Sequence, residues 1–184
     1  MLPTLEDFGV QTPAYIRKIK RPDWHPEDCK NQQERAQKIA INIFSDGVNS
    51  LYLVKSNEDF YASVVATIIN TKNPKDQKFD FIWITEEELQ EVGIKFELVM
   101  EGNCSHSQKL HFNAFIDTNI ACKLCENLLS KNREDKRCNK QKTIEIFNHL
   151  ESLGCKAIEP NSPNCKCENQ NSQKEINTTR KETE

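Results

Sequence analysis

Between Pro26 and Met100 the apolar residues switch repeatedly between two spacings, and this alternation limits the fold more than any other feature. Ala36, Ile39, Ala40, Ile43 and Phe44 recur at three and four, which is one stripe of an amphipathic helix. "SLYLVKS" follows, short and rich in strand formers, and marks a strand over 51–55. Ser56-Asn57-Glu58-Asp59 has the capping residue and early acids of a helix start. Phe60, Tyr61, Val64, Val65, Ile68 and Ile69 then give a helix over 58–71. "FDFIWI" is a second strand over 79–84, apolar enough for burial on both faces. Thr85 caps a short acidic helix over 86–91, and "IKFELVM" is a third strand.

Strand, helix, strand, short helix, strand is the order of an α/β domain. The helix over 58–71 is long enough for a parallel crossover. The expectation is therefore an α/β fold: a small three- to four-stranded sheet, mixed or mainly parallel, packed with amphipathic helices. "LHFNAFI" supplies the fourth strand, with His111 and Asn113 on the face opposite Phe112 and Ala114. Asp117-Thr118-Asn119 offers caps for a helix over 119–131, and a last helix covers 143–153.

The ends of the chain read differently. Prolines at 3, 13, 22 and 26 make residues 1–26 an N-terminal arm, with "AYIRKIKRP" as an edge strand or a packed strip and Trp24 docked on the domain. Residues 27–157 form one domain. Residues 158–184 are Asn, Gln, Ser, Lys and Glu with one large apolar side chain after Pro160, Ile176, and are expected to be a disordered tail. The mean hydropathy of −0.72 agrees with a chain that is not packed throughout.

Net charge is −3, which gives no global footprint for nucleic acid. Residues 14–38 carry seven Lys/Arg against four Asp/Glu, residues 104–156 nine against six, and residues 46–101 five against eleven. A folded domain with acidic and basic sides can orient a macromolecular partner. The first 25 residues hold no apolar run of the kind an export signal needs, so the expected compartment is the cytosol. Thiols stay reduced there, and eight cysteines then point to metal or thiol chemistry rather than disulfides.

Three of those cysteines and two of the four histidines fall between Cys104 and Cys125. Cys104, His106, Cys122 and Cys125 have the donor types of a tetrahedral zinc site, with His111 able to replace His106. Against this, Cys125 sits on the apolar stripe of its helix, where cysteine is commonly a small buried hydrophobe. A deaminase-type site fails, because Ser107 and Gln108 follow His106 and Ala121 precedes Cys122. A catalytic reading makes Cys104 a nucleophile, with His111 or His106 as base and Asp117 orienting the imidazole. The five glycines are too dispersed for a phosphate loop.

The expected function is therefore that of a small cytosolic accessory or regulatory protein acting by binding a protein partner, not at a membrane. A thiol enzyme using Cys104 with His106 or His111 is the first alternative. A nucleic-acid-associated protein using the basic segments 17–21 and 131–142 is the second.

Overall fold

The computed structural model describes residues 1–44, 47–101 and 105–155, Ser105 by its backbone alone. The expected tail over 158–184 lies outside the described residues. The elements are β1 (Ala14–Ile19), α1 (Arg21–Trp24), α2 (Gln32–Ile43), β2 (Gly47–Val54), α3 (Asn57–Ile68), β3 (Phe79–Ile84) and α4 (Glu86–Glu91). They continue as β4 (Lys95–Leu98), α5 (Ser105–Gln108), β5 (His111–Ile116), α6 (Thr118–Ser130), β6 (Lys136–Cys138) and α7 (Lys140–Ser152).

The strands form one six-stranded sheet in the order β4-β5-β2-β1-β3-β6. Each of its strand pairings is antiparallel. This corrects the expected three- to four-stranded, mixed or mainly parallel sheet. The physical reason lies in β1. Both β2 and β3 run antiparallel to it, so they are parallel to each other, as a helical crossover requires. They are not neighbours, because β1 fills the space between them.

The segment expected at an edge is thus central. Its alternation explains why: Ala14 and Ile16 are buried on one face, Tyr15 and Ile19 on the other. Arg17 fits among them because its guanidinium donates to the carbonyls of Ser50 and Ile43 and to Asn49 Oδ1. The other missed strand, β6, lies inside the charged stretch after α6. Arg137 grips Asp80 on β3 through two hydrogen bonds of 2.6 and 2.9 Å, so the charges themselves hold that strand in place.

Two cores result. Phe60, Val64, Val65 and Ile68 of α3 join Ile146, Phe147 and Leu150 of α7 on one face, against Ile16, Phe79, Phe81 and Trp83. On the other face α2 and α6 pack against Leu51, Ile82, Ile84 and Ala114. Trp24 is fully buried in this second core, docked as expected. Caps set the helix starts. Ser56 and Thr85 form capping boxes with Asp59 and Glu88. Asn31 starts α2, its side chain accepting the Glu34 N–H. No helix among the described residues is long and apolar enough to cross a membrane.

Candidate functional site

The two sheet faces are covered unequally. Over β1, β3 and β6 the first face lies under α3 and α7. Over β4, β5 and the first half of β2 no helix among the described residues covers it. Three cross-strand rows form this open part, fixed by the register of β2 and β4 on β5. Val48, Phe115 and Lys95 form the lowest row, and Ser50, Asn113 and Glu97 the next. Tyr52 and His111 lie at the top, with Val99 beside His111.

The top row is the buried end. The His111 and Tyr52 rings stack at 5.0 Å and 14°. His111 is only 9 % exposed, and its Nε2 is buried without a hydrogen-bond partner. Burial lowers the His111 pKa, against an opposite pull from the Glu101 carbonyl and carboxylate, so the ring is neutral at pH 7. Burial likewise raises the Tyr52 phenol, which bonds to Thr67 of α3.

Beside this end stands a histidine–carboxylate pair that the sequence did not announce. His106 Nε2 lies 2.8 Å from Asp59 Oδ1. The second Asp59 oxygen accepts the backbone N–H groups of Lys55 and Ser56, at 2.9 and 3.1 Å. Burial alone would raise the Asp59 pKa, but the His106 bond and the two backbone donors outweigh it, and the carboxyl titrates below its usual range. Asp59, not Asp117, is therefore the carboxylate that orients a histidine here. Asp117 caps α6, accepting the Ile120 N–H at 2.8 Å.

The lower end is exposed. Val48 and Phe115 sit directly opposite each other on adjacent strands and are 55 % and 44 % exposed. A shallow cavity of about 530 Å³ opens beside Phe115, lined by Gly47, Ile116, Asp117 and Thr118. This surface was half-legible in "LHFNAFI". The alternation that turns His111 and Asn113 away from Phe112 and Ala114 turns Phe115 the same way.

The residues singled out from sequence are scattered. Cys104 lies outside the described residues. His106 stands against α3 on the first face. Cys122 and Cys125 belong to α6, which packs on the second face, so the sheet separates them from His106. Cys125 is fully buried, and burial pushes its thiol far up; Cys122, partly buried, is also raised. A thiol kept protonated by apolar surroundings is a poor nucleophile and a poor metal ligand. No group of three His, Cys, Asp or Glu able to hold a metal ion occurs among the described residues.

Most basic side chains of the two segments have an internal partner. Arg21 pairs with Asp135, Lys131 with Glu88 and Glu91, Arg133 with Glu88, Lys136 with Glu134, Arg137 with Asp80 and Lys140 with Asp76. Lys142 lies over the Phe8 ring. Charges already satisfied by neighbours have less to offer a phosphate backbone, whose binding draws on free cations. No family model, curated protein or solved structure matches the chain.

Proposed function

We propose that this protein is an accessory or regulatory binding module that takes a protein partner on the open half of its sheet. The observation that carries the reading is the facing pair Val48 and Phe115, exposed on a sheet whose other apolar side chains are mostly buried. An aromatic anchor within a mixed polar surface is the composition that protein interfaces concentrate. Ser50, Asn113, Lys95 and Glu97 supply a polar surround in which both charge signs occur, and the cavity beside Phe115 is a seat for a partner side chain. The internal pairing of most of the basic residues favours a protein over a nucleic acid.

The test compares what the wild-type chain, Phe115→Glu and Ile41→Glu retain from extract of the source cells. Ile41 is 65 % exposed on α2 and serves as an apolar control away from the sheet. A protein held by wild type and by Ile41→Glu, and lost from Phe115→Glu, supports the module. Identical retention by all three chains rejects it.

One observation favours the thiol-enzyme alternative: His106 is held by a carboxylate, which is how a base is oriented toward a nucleophile. Fast alkylation of Cys104 that slows in Asp59→Asn would support that reading. Slow alkylation in both chains would end it.

A further inference from the structure

We infer that β4 is a self-pairing edge, through which two copies of this chain join their sheets antiparallel about a two-fold axis at Leu98. This interface runs along the strand edge that borders the open face, and it does not rest on the binding-module reading.

The two ends of the sheet differ. At one end β6 is three residues long and carries Lys136 and Arg137, charges that discourage strand addition. At the other end β4 has no outer neighbour among the described residues. Val99 donates its N–H to His111 O, which fixes the phase of the ladder. Lys95, Glu97 and Val99 therefore direct their backbone groups toward β5, while Phe96 and Leu98 direct theirs outward. The side chains beside that row are apolar and exposed: Leu98 is 47 % exposed and Met100 62 %. A bare row of donors and acceptors flanked by exposed apolar groups is a template for another strand.

The sequence of the edge favours a second copy, and it selects the register. A two-fold axis at Glu97 would set Glu97 against the partner's Glu97, which is repulsive. An axis at Phe96 would need the Ile94 N–H, which already donates to Leu89 O at 3.0 Å, and would waste Leu98 on the buried Ile94. An axis at Leu98 avoids both faults. It sets Leu98 on the partner's Leu98, Met100 on the partner's Phe96, and Lys95 alongside the partner's Glu101. Glu97 then meets the partner's Val99, so no like charges face each other. The turn in which Glu101 N–H donates to Val99 O ends the pairing at Met100.

Leu98→Pro is the sharpest probe. It deletes an N–H that points away from β5, so the internal ladder keeps its bonds while the outer edge loses a donor. Leu98→Lys is the second variant, a charge at an exposed position that leaves the fold intact. Sedimentation across a concentration series should show wild type rising to twice the 21.3 kDa chain mass. Leu98→Pro and Leu98→Lys should stay at the chain mass with unchanged far-UV circular dichroism. In Leu98→Cys, mild oxidation should give a dimer whose disulfide maps to position 98 on both chains. A wild type that remains at the chain mass overturns the inference. So does a dimer that persists in both Leu98→Pro and Leu98→Lys.

Discussion

Glu88 is the most informative single position for the stability of the fold. It is 2 % exposed and serves two sets of partners. One carboxylate oxygen accepts the Thr85 N–H at 2.9 Å and completes the capping box of α4. The other lies 2.7 Å from Arg133 Nη2 and 3.4 Å from Lys131 Nζ. Arg133 in turn lies over the Trp83 ring, 3.3 Å from its centre, and its side chain is only 11 % exposed. Glu88→Ala removes a cap, a loss of about 1 kcal/mol. It also strands the Arg133 guanidinium in a site largely shielded from water, and breaking a buried pair by removing one partner costs about 3–5 kcal/mol. The sum is a large part of the ~5–15 kcal/mol that holds an ordinary domain. Glu88→Gln keeps an acceptor for Thr85 and should lose about half as much, since it removes only the charge. Replacing Glu88 and Arg133 together with Met should recover most of the loss, because neither charge is then left alone. Urea unfolding followed by circular dichroism and tryptophan fluorescence measures all four chains. A Glu88→Ala loss below about 1 kcal/mol, or a double variant no better than the single, would refute the argument that this pair is a coupled buried unit.

Val65→Asp and Ile68→Asp should each prevent folding, because both side chains are fully buried in α3 and an unpaired charge there costs several kcal/mol; native-like circular dichroism in either variant would contradict this. Asp59 has a folded pKa below its unfolded one, so its ionised form adds stability in full above the unfolded value of about 4 and loses it as pH falls through the folded value. The stability gap between wild type and Asp59→Asn should accordingly shrink between neutral pH and pH 3, measured by denaturant titration at each pH. Cys125 is fully buried, and burial raises the Cys138 thiol to about 11, so both should resist alkylation at pH 8 until denaturant is added, while the more accessible Cys29 is modified in the native protein.

What the sequence revealed was local. The Ser56 and Thr85 caps, the stripe of α3 and the alternation of β5 depend on neighbours within a turn or a few strand positions, and each was legible. Strand order is a non-local property. Nothing in "AYIRKI" states that its partners are Leu53 on one side and Trp83 on the other, and its basic residues resemble those of an edge. The charged stretch after α6 resembles a loop until Asp80 is placed beside Arg137. His106 and Asp59 stand 47 positions apart, so their bond has no sequence signature. His106 and the Cys122–Cys125 pair lie on opposite faces of the sheet for the same reason. Proximity along the chain between His106 and Cys122 says nothing about which side of a sheet each will occupy.

The central place of β1 has a consequence for how the chain is made. β1 leaves the ribosome before either strand that flanks it, and Ile16 cannot complete its ladder until Trp83 has been synthesised. A helix such as α3 can form within its own length, but the middle of this sheet must wait for both halves. An apolar strand is thus held unpaired through the early part of translation, when mispairing with other chains is easiest. Transposing residues 1–20 to follow β3 would shorten that wait, and less of the rearranged chain should aggregate during its synthesis than of the natural order.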